Sequence, residues 1–226
     1  MNQITFRSEQ ALHEGAARFF EEKAVRAIRA RGRFLVALSG GRTPIPTYNL
    51  LARSQRIDWN KVGIFWSDER CVPPSDPASN FSSARDALLD HASIPQNCVH
   101  RIHGEDSPAQ AADAYETVIR DIIPDGRFDL ILLGMGVDGH TASLFPDHKA
   151  LDEIIHWVVP VCVPAEPPHR ITMTLPLIVK ARHILMLTIG DEKEQVRQRI
   201  VGGEQLPAGR VKPVDGTMTW YASHGP

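Results

Sequence analysis

The feature that most constrains this chain is a set of short, uniformly apolar runs, each ending abruptly in small or charged residues. "RFLVALS" opens onto "GGRTP", and "KVGIFWSDE" ends in charge. "FDLILLGMG" runs into "VDGHTASLFP", and "HILMLTIG" into "DEKEQ". A short run with no polar alternation reads as a strand buried on both faces, the condition of a parallel sheet covered by helices. The stretches between them carry helical spacing. From Ser8 to Arg31, Leu12, Ala16, Phe19, Phe20, Ala24, Ala27 and Ile28 recur on one side, with Ser8 as cap and Gly32 as stop. "PIPTYNLLA" starts a helix at Pro44, with Thr43 in the capping position. "NFSSARDALLD", Ser107–Ile123, "LIVKA" and "DEKEQVRQRIVGG" read as further helices.

"CVHRIHG", "HWVVPVCVP" and "RITMTLP" read as additional strands, and "VDGTMTWYAS" as an edge strand closing the sheet. The alternation predicts an α/β fold: a mainly parallel, Rossmann-like sheet with helices on both faces, residues 1–226 forming a single domain. There is no internal repeat or interdomain linker. The Pro73–Pro77 and Pro164–Pro168 stretches read as functional loops.

Composition narrows the function classes. A net charge of −2 argues against nucleic acid as a partner. The apolar runs, such as Ile184–Ile189, are too short to span a bilayer. "MNQITFRSEQ" lacks a basic-then-apolar signal, and Cys71, Cys98 and Cys162 lie far apart with no C-x-x-C, so the expectation is a cytoplasmic protein in a reducing compartment. No metal site is expected: His100 and His103 lie three apart on an expected strand, facing opposite ways, and no H-E-x-x-H occurs.

Gly134, Gly136 and Gly139 spell G-x-G-x-x-G after an apolar run, but the context fails for a dinucleotide site. Pro146 ends any following helix within two turns, and Asp152 and Glu153 precede the next apolar run rather than follow it. What remains is "GVDGH", an acid and an imidazole at a strand's carboxyl end, where open α/β sheets bind ligands. Asp138 and His140 are therefore the candidate catalytic pair, His for proton transfer near neutral pH and Asp to orient it. "ALSGGRTP" repeats the architecture: Ser39, Gly40, Gly41 and Thr43 offer backbone N–H groups and hydroxyls to an anion. It is neither a Walker A loop, lacking G-K-[ST], nor a G-x-S-x-G elbow. A third strand end delivers Asp68, Glu69 and Arg70 together, with Asn80 downstream, and the strand before them reads as central. Arg170 and Lys193 add cations at later strand ends.

Together "LSGGRTP", "FWSDERCVPPSDPASNF", "FDLILLGMGVDGHTASLFP" and "HRITMTLPLI" resemble, in order and over almost the whole chain, the 6-phosphogluconolactonases grouped with the glucosamine-6-phosphate isomerase/deaminases. The deaminases carry a glutamate just before the proline of the third segment and an Asp-Glu-Tyr loop earlier. Here Phe145 precedes Pro146 and the loop reads Asp68-Glu69-Arg70, both matching the lactonase branch. The resemblance implies hydrolysis of 6-phospho-D-glucono-1,5-lactone with His140 as general base, Asp138 supporting it, and no cofactor. It implies a phosphate on Gly40–Thr43 with Arg170 and Lys193, sugar contacts from Asp68 and Asn80, and Gly139 in the substrate turn. Arg70 either stabilises the oxyanion or braces its loop. The expected partner is the sugar phosphate alone, with the protein a monomer or weak homodimer. An isomerase of the same fold and a non-catalytic sugar-phosphate sensor are the alternatives. The sensor usually adds a DNA-binding segment, for which a helix starting near residue 8 leaves no room.

Overall fold

The computed structural model describes residues 2–225. In chain order the first half contains β1 (Asn2–Phe6), α1 (Glu9–Arg31), β2 (Phe34–Leu38), α2 (Ile45–Leu51), β3 (Val62–Trp66), β4 (Asp68–Arg70), α3 (Asn80–Ala84) and α4 (Pro108–Ile122). The second half contains β5 (Leu130–Gly134), β6 (Val158–Cys162), β7 (His169–Met173), α5 (Leu175–Ile178), β8 (His183–Ile189), α6 (Asp191–Val201) and β9 (Thr217–Ser223).

Six strands form one wholly parallel sheet in the order β1-β9-β8-β5-β2-β3. Every residue of β2 is buried, as are Leu130–Leu133 of β5 and Ile184–Thr188 of β8. Their apolar runs thus report strands covered on both faces, each buried Leu or Ile contributing about 1.5–3 kcal/mol of transfer free energy. α1 covers part of the sheet with the stripe Leu12, Ala16, Phe20, Ala24 and Ala27. Phe20 meets Phe34 of β2 edge-on at 5.2 Å between ring centroids. Its ends follow from the sequence: Ser8 Oγ accepts the Ala11 N–H at 3.2 Å, and Gly32 closes the helix at φ 76°, its N–H donating to the Ile28 carbonyl.

Strand order sets the place of the site. From β2 the chain leaves toward β3, and from its neighbour β5 toward β8, in opposite directions across the sheet. The loops after β2 and β5 therefore diverge and open a crevice at their carboxyl ends.

Several expectations need correction. β4, β7 and β6 form a separate three-stranded antiparallel sheet. "KVGIFWSDE" is two strands of different sheets, broken at Ser67, whose N–H donates to Leu38 of one sheet while its carbonyl accepts from Met173 of the other. β3 is an edge strand rather than central: β2 pairs with it on one side, and on the other the described residues supply a single bridge, from Ile64 to Val99. "CVHRIHG" supplies that bridge and no strand. β9 is interior, because β1, unanticipated, pairs outside it with Asn2 opposite Thr219. Thr43 does not cap α2; Pro44 stands at its start with no side-chain cap. "NFSSARDALLD" begins as α3 but continues as a π-helical turn over Arg85–Leu89.

Candidate active site

The loop after β5 folds back on itself. The Gly136 N–H donates to the His140 carbonyl at 2.8 Å and the Gly139 N–H to the Gly136 carbonyl at 3.0 Å. Gly139 sits at φ +85°, where an L side chain is strained. Gly136 is glycine for another reason: a Cβ there would collide with the His140 ring and the Asp138 carboxylate. The central glycine of this G-x-G-x-x-G clears room for an imidazole and its carboxylate, while a Cβ at Gly134 would meet nothing within 4 Å.

Asp138 Oδ1 lies 2.6 Å from His140 Nδ1 and also accepts the His140 backbone N–H at 3.1 Å. Burial pushes the Asp138 pKa up, but the His140 N–H and imidazole outweigh it and hold the carboxyl below its usual range. An ionised carboxylate only accepts, so the neutral imidazole carries its proton on Nδ1 and leaves Nε2 with a free lone pair. The ring's face is fixed by Phe145, stacked at 4.1 Å and 12°.

Around His140 lies a cleft of about 300 Å³. Of the residues singled out in the sequence, Ser39, Gly40, Gly41, Thr43, Asp68, Arg70, Asn80, His140, Arg170 and Lys193 all line it. Asp138 and Gly139 do not; Asp138 stands behind the imidazole and Gly139 packs on Leu206.

The loop after β2 is pinned by Tyr48, whose hydroxyl donates to the Ser39 carbonyl at 2.8 Å and lies 3.1 Å from the Ser39 nitrogen that donates to it. Gly40 must be glycine because a Cβ would strike the Asn80 carboxamide. Asn80 is 3% exposed and donates to the Asp68 carbonyl at 2.9 Å and to its Oδ1 at 3.3 Å. Ser143 Oγ donates to Asp68 Oδ2 at 2.7 Å, and the Ser143 N–H donates to Thr172 Oγ1. Asp68 and Asn80 are thus a buried, pre-oriented polar pair. Glu69, also buried, accepts from the backbone N–H groups of Arg70, Asn80 and Phe81 and from the Ser79 hydroxyl. Burial pushes its pKa up against those donors. It anchors the start of α3 and so places Asn80.

Four cations, Arg42, Arg70, Arg170 and Lys193, line the cleft against one lining carboxylate, Asp68. Arg70 and Arg170 are direct cross-strand partners of β4 and β7, a like-charge juxtaposition that favours an anion between them. Burial lowers the Arg170 pKa, Arg70 lowers it further, and Asp68 opposes. Burial likewise lowers Lys193, with Asp138 and Glu192 opposing. Arg70 Nη1 donates to the Ala78 carbonyl at 2.5 Å, bracing the loop that carries Asn80. Arg170 Nε donates to the Pro167 carbonyl at 3.0 Å. Sequence reasoning missed Ser143, Thr172 and Tyr48 as supports of the site, and gave Glu69 no role. Only the three adjacent charges at Asp68–Arg70 signalled Glu69.

A crevice at the switch point of a parallel sheet, rich in cations and holding a carboxylate-oriented imidazole, defines an α/β enzyme for an anionic substrate. The chain belongs to the glucosamine-6-phosphate isomerase/6-phosphogluconolactonase family, whose model matches residues 7–220. It is 39% identical over 193 residues to the 6-phosphogluconolactonase of Haemophilus influenzae, covering 82% of this chain and 83% of the relative. It is 35% identical to a probable chloroplastic 6-phosphogluconolactonase of Oryza sativa, over 96% of this chain and 72% of the relative. The crystal structure of 6-phosphogluconolactonase from Thermotoga maritima superposes with a TM-score of 0.91 at 29% identity, over 98% of this chain and 99% of that one. These matches put the chain among the lactone-hydrolysing members of the family. No described helix is long and apolar enough to cross a membrane.

Proposed function

We propose that the chain hydrolyses 6-phospho-D-glucono-1,5-lactone to 6-phospho-D-gluconate, the lactonase step of the oxidative pentose phosphate pathway, using water activated by His140. The observation that carries this reading is the 2.6 Å Asp138–His140 contact at the edge of a cleft lined by four cations. The phosphate lies on the Gly40–Thr43 backbone, neutralised by Arg170 and Lys193, while Asp68 and Asn80 bind sugar hydroxyls. His140 Nε2 takes a proton from water as the water oxygen attacks C1, giving a tetrahedral oxyanion. As the C1–O bond of the ring breaks, the imidazolium returns that proton to the departing ring oxygen, and the new carboxylic acid ionises to solvent. One positioned group serves as base and then acid, worth about 10²–10⁴-fold, with substrate placement adding to it.

Phe145 supports this reaction over the aldose–ketose shift of the isomerase branch, because a stacked phenyl ring holds an imidazole but relays no proton. The protein acts as a single domain, monomer or weak homodimer, and its three free cysteines fit a cytoplasmic setting. The test is a coupled assay in which glucose-6-phosphate dehydrogenase generates the lactone in situ. Formation of 6-phosphogluconate above the spontaneous rate, lost in His140→Ala while 6-phosphogluconate still binds, is the expected result. Wild-type activity in that variant would sink the role of His140, and no acceleration by the wild type would sink the reaction.

A further inference from the structure

A second concentration of charge lies at the opposite, amino-terminal end of the sheet. There a recess of about 440 Å³ is lined by Lys23, Arg26 and Arg31 of α1, by Arg127 ahead of β5, and by Arg182 and His183 at the start of β8. Ala27 and Ala30 form small, low walls between the α1 cations. β8 reaches from this recess at His183 to the catalytic cleft at Leu187, so the two are separated by roughly 13 Å of strand.

The ordinary structural roles of cations account for only part of this cluster. Two carboxylates line the recess, Asp129 and Asp215. Asp129 is buried and already engaged: Oδ2 accepts the Leu35 N–H at 2.9 Å, while Oδ1 lies 2.5 Å from Arg31 Nη2 and 3.4 Å from Arg182 Nε. Arg127 Nη2 donates to the backbone carbonyl of Asp215, which adds no compensating charge. Among the described residues, Lys23, Arg26 and Arg127 form no ion pair with a carboxylate. Arg31 lies in the last turn of α1, where the helix dipole favours a cation, but Lys23 and Arg26 lie ahead of that turn. Five full cations therefore face two carboxylates, in a chain whose net charge is −2.

The field of the cluster is felt by its own histidine. Burial, and then the charges of Lys23, Arg31, Arg182 and Arg26, push His183 down to about 4. Lys23 is lowered too, by burial and by Arg26 against the opposing Glu22. An anion in the recess would relieve both.

We propose that this recess binds a small ligand carrying two or more linked phosphate groups, such as a nucleoside diphosphate or inorganic pyrophosphate, independently of the catalytic cleft. Linked phosphates match several cations spread around one concavity, whereas a single phosphate leaves most of them unpaired. The proposal does not rest on the lactonase reading.

The test is a titration of the ¹⁵N-labelled protein with inorganic pyrophosphate, followed by amide shifts. Saturable shifts at Ala27, Gly216 and Thr217 are expected, weakening as salt rises. In Lys23→Gln/Arg26→Gln, whose side chains make no ion pair and leave the core intact, the affinity read at these amides falls at least about tenfold, the loss of ~1.4 kcal/mol of charge pairing. Any shifts at Gly40 and Gly41, which report the cleft, stay as in the wild type. Shifts confined to Gly40 and Gly41, or recess shifts unchanged in the double variant, overturn the proposal. A short single-stranded DNA that binds the recess far more tightly than pyrophosphate would overturn its assignment to a small ligand.

Discussion

The loops after β2 and β5 look alike in sequence, each a strand end followed by glycines and a hydroxyl, yet their glycines do different work. At Gly40 the missing side chain lets the backbone approach Asn80, and through it Asp68. At Gly136 it leaves room for the His140–Asp138 pair. One loop presents backbone donors and is a binding element; the other holds a reacting side chain. A glycine pattern marks a close approach, and only the neighbour across the gap says which kind.

The sharpest way to break this comparison is to fill both gaps. In Gly136→Ala the methyl overlaps the imidazole and displaces it, so turnover should fall by roughly 10²–10⁴, as for loss of the base itself. Affinity for 6-phosphogluconate should persist, because the loop after β2 is untouched. Steady-state kinetics with a product-binding titration checks both, and normal turnover would mean that His140 is not held as described.

Asp138→Asn comes next. It keeps the shape but removes the charge that fixes the proton on Nδ1, and a drop in kcat of about 10²-fold or more is expected. KM should hardly change, since Asp138 does not line the cleft. A rise in KM with unchanged kcat would recast Asp138 as a binding residue. Gly40→Ala should show the reverse split. The methyl displaces the Asn80 carboxamide, costing about one hydrogen bond of ~0.5–1.5 kcal/mol to substrate. KM then rises up to about tenfold while kcat changes less. Overpacking around the buried Asn80 adds about 1–3 kcal/mol of destabilisation, measurable by denaturant unfolding.

The contrast between legible and illegible parts of the molecule follows the range of the interactions. β2, β5 and β8 declare themselves because burial on both faces leaves continuous apolar runs, and α1 because its stripe and both end signals are local. β1 stayed hidden: Asn2–Thr5 are exposed, so "NQITF" has neither an apolar run nor a clean alternation, and only pairing with β9 makes it a strand. The change of sheet at Ser67 was equally invisible, because it depends on Leu38 and Met173, each far away in the chain. In the site the reacting pair lies within three residues and could be read directly. The brace on Asp68 comes from Ser143, 75 positions away, and no local pattern carries that pairing.

The smallest expected effect compares the two ends of β8. Leu187 lines the catalytic cleft, while at the other end burial, and then the surrounding cations, push the pKa of His183 down to about 4 from an ordinary 6.5. As pH falls below 6.5 the unfolded chain takes up a proton at this position and the folded chain does not. The contribution of His183 to stability is therefore complete above pH 6.5, shrinks as pH falls, and is gone below about 4. Because the side chain is only half-buried, solvent screening keeps the effect modest. His183→Gln should flatten this part of the acid limb in denaturant unfolding compared at about pH 7.5 and about pH 5, without changing turnover. Lys23→Gln/Arg26→Gln should flatten it partially, since burial, the larger cause, remains. An acid limb identical in all three proteins would show that His183 does not feel the cluster, and that the amino-terminal recess is screened by solvent.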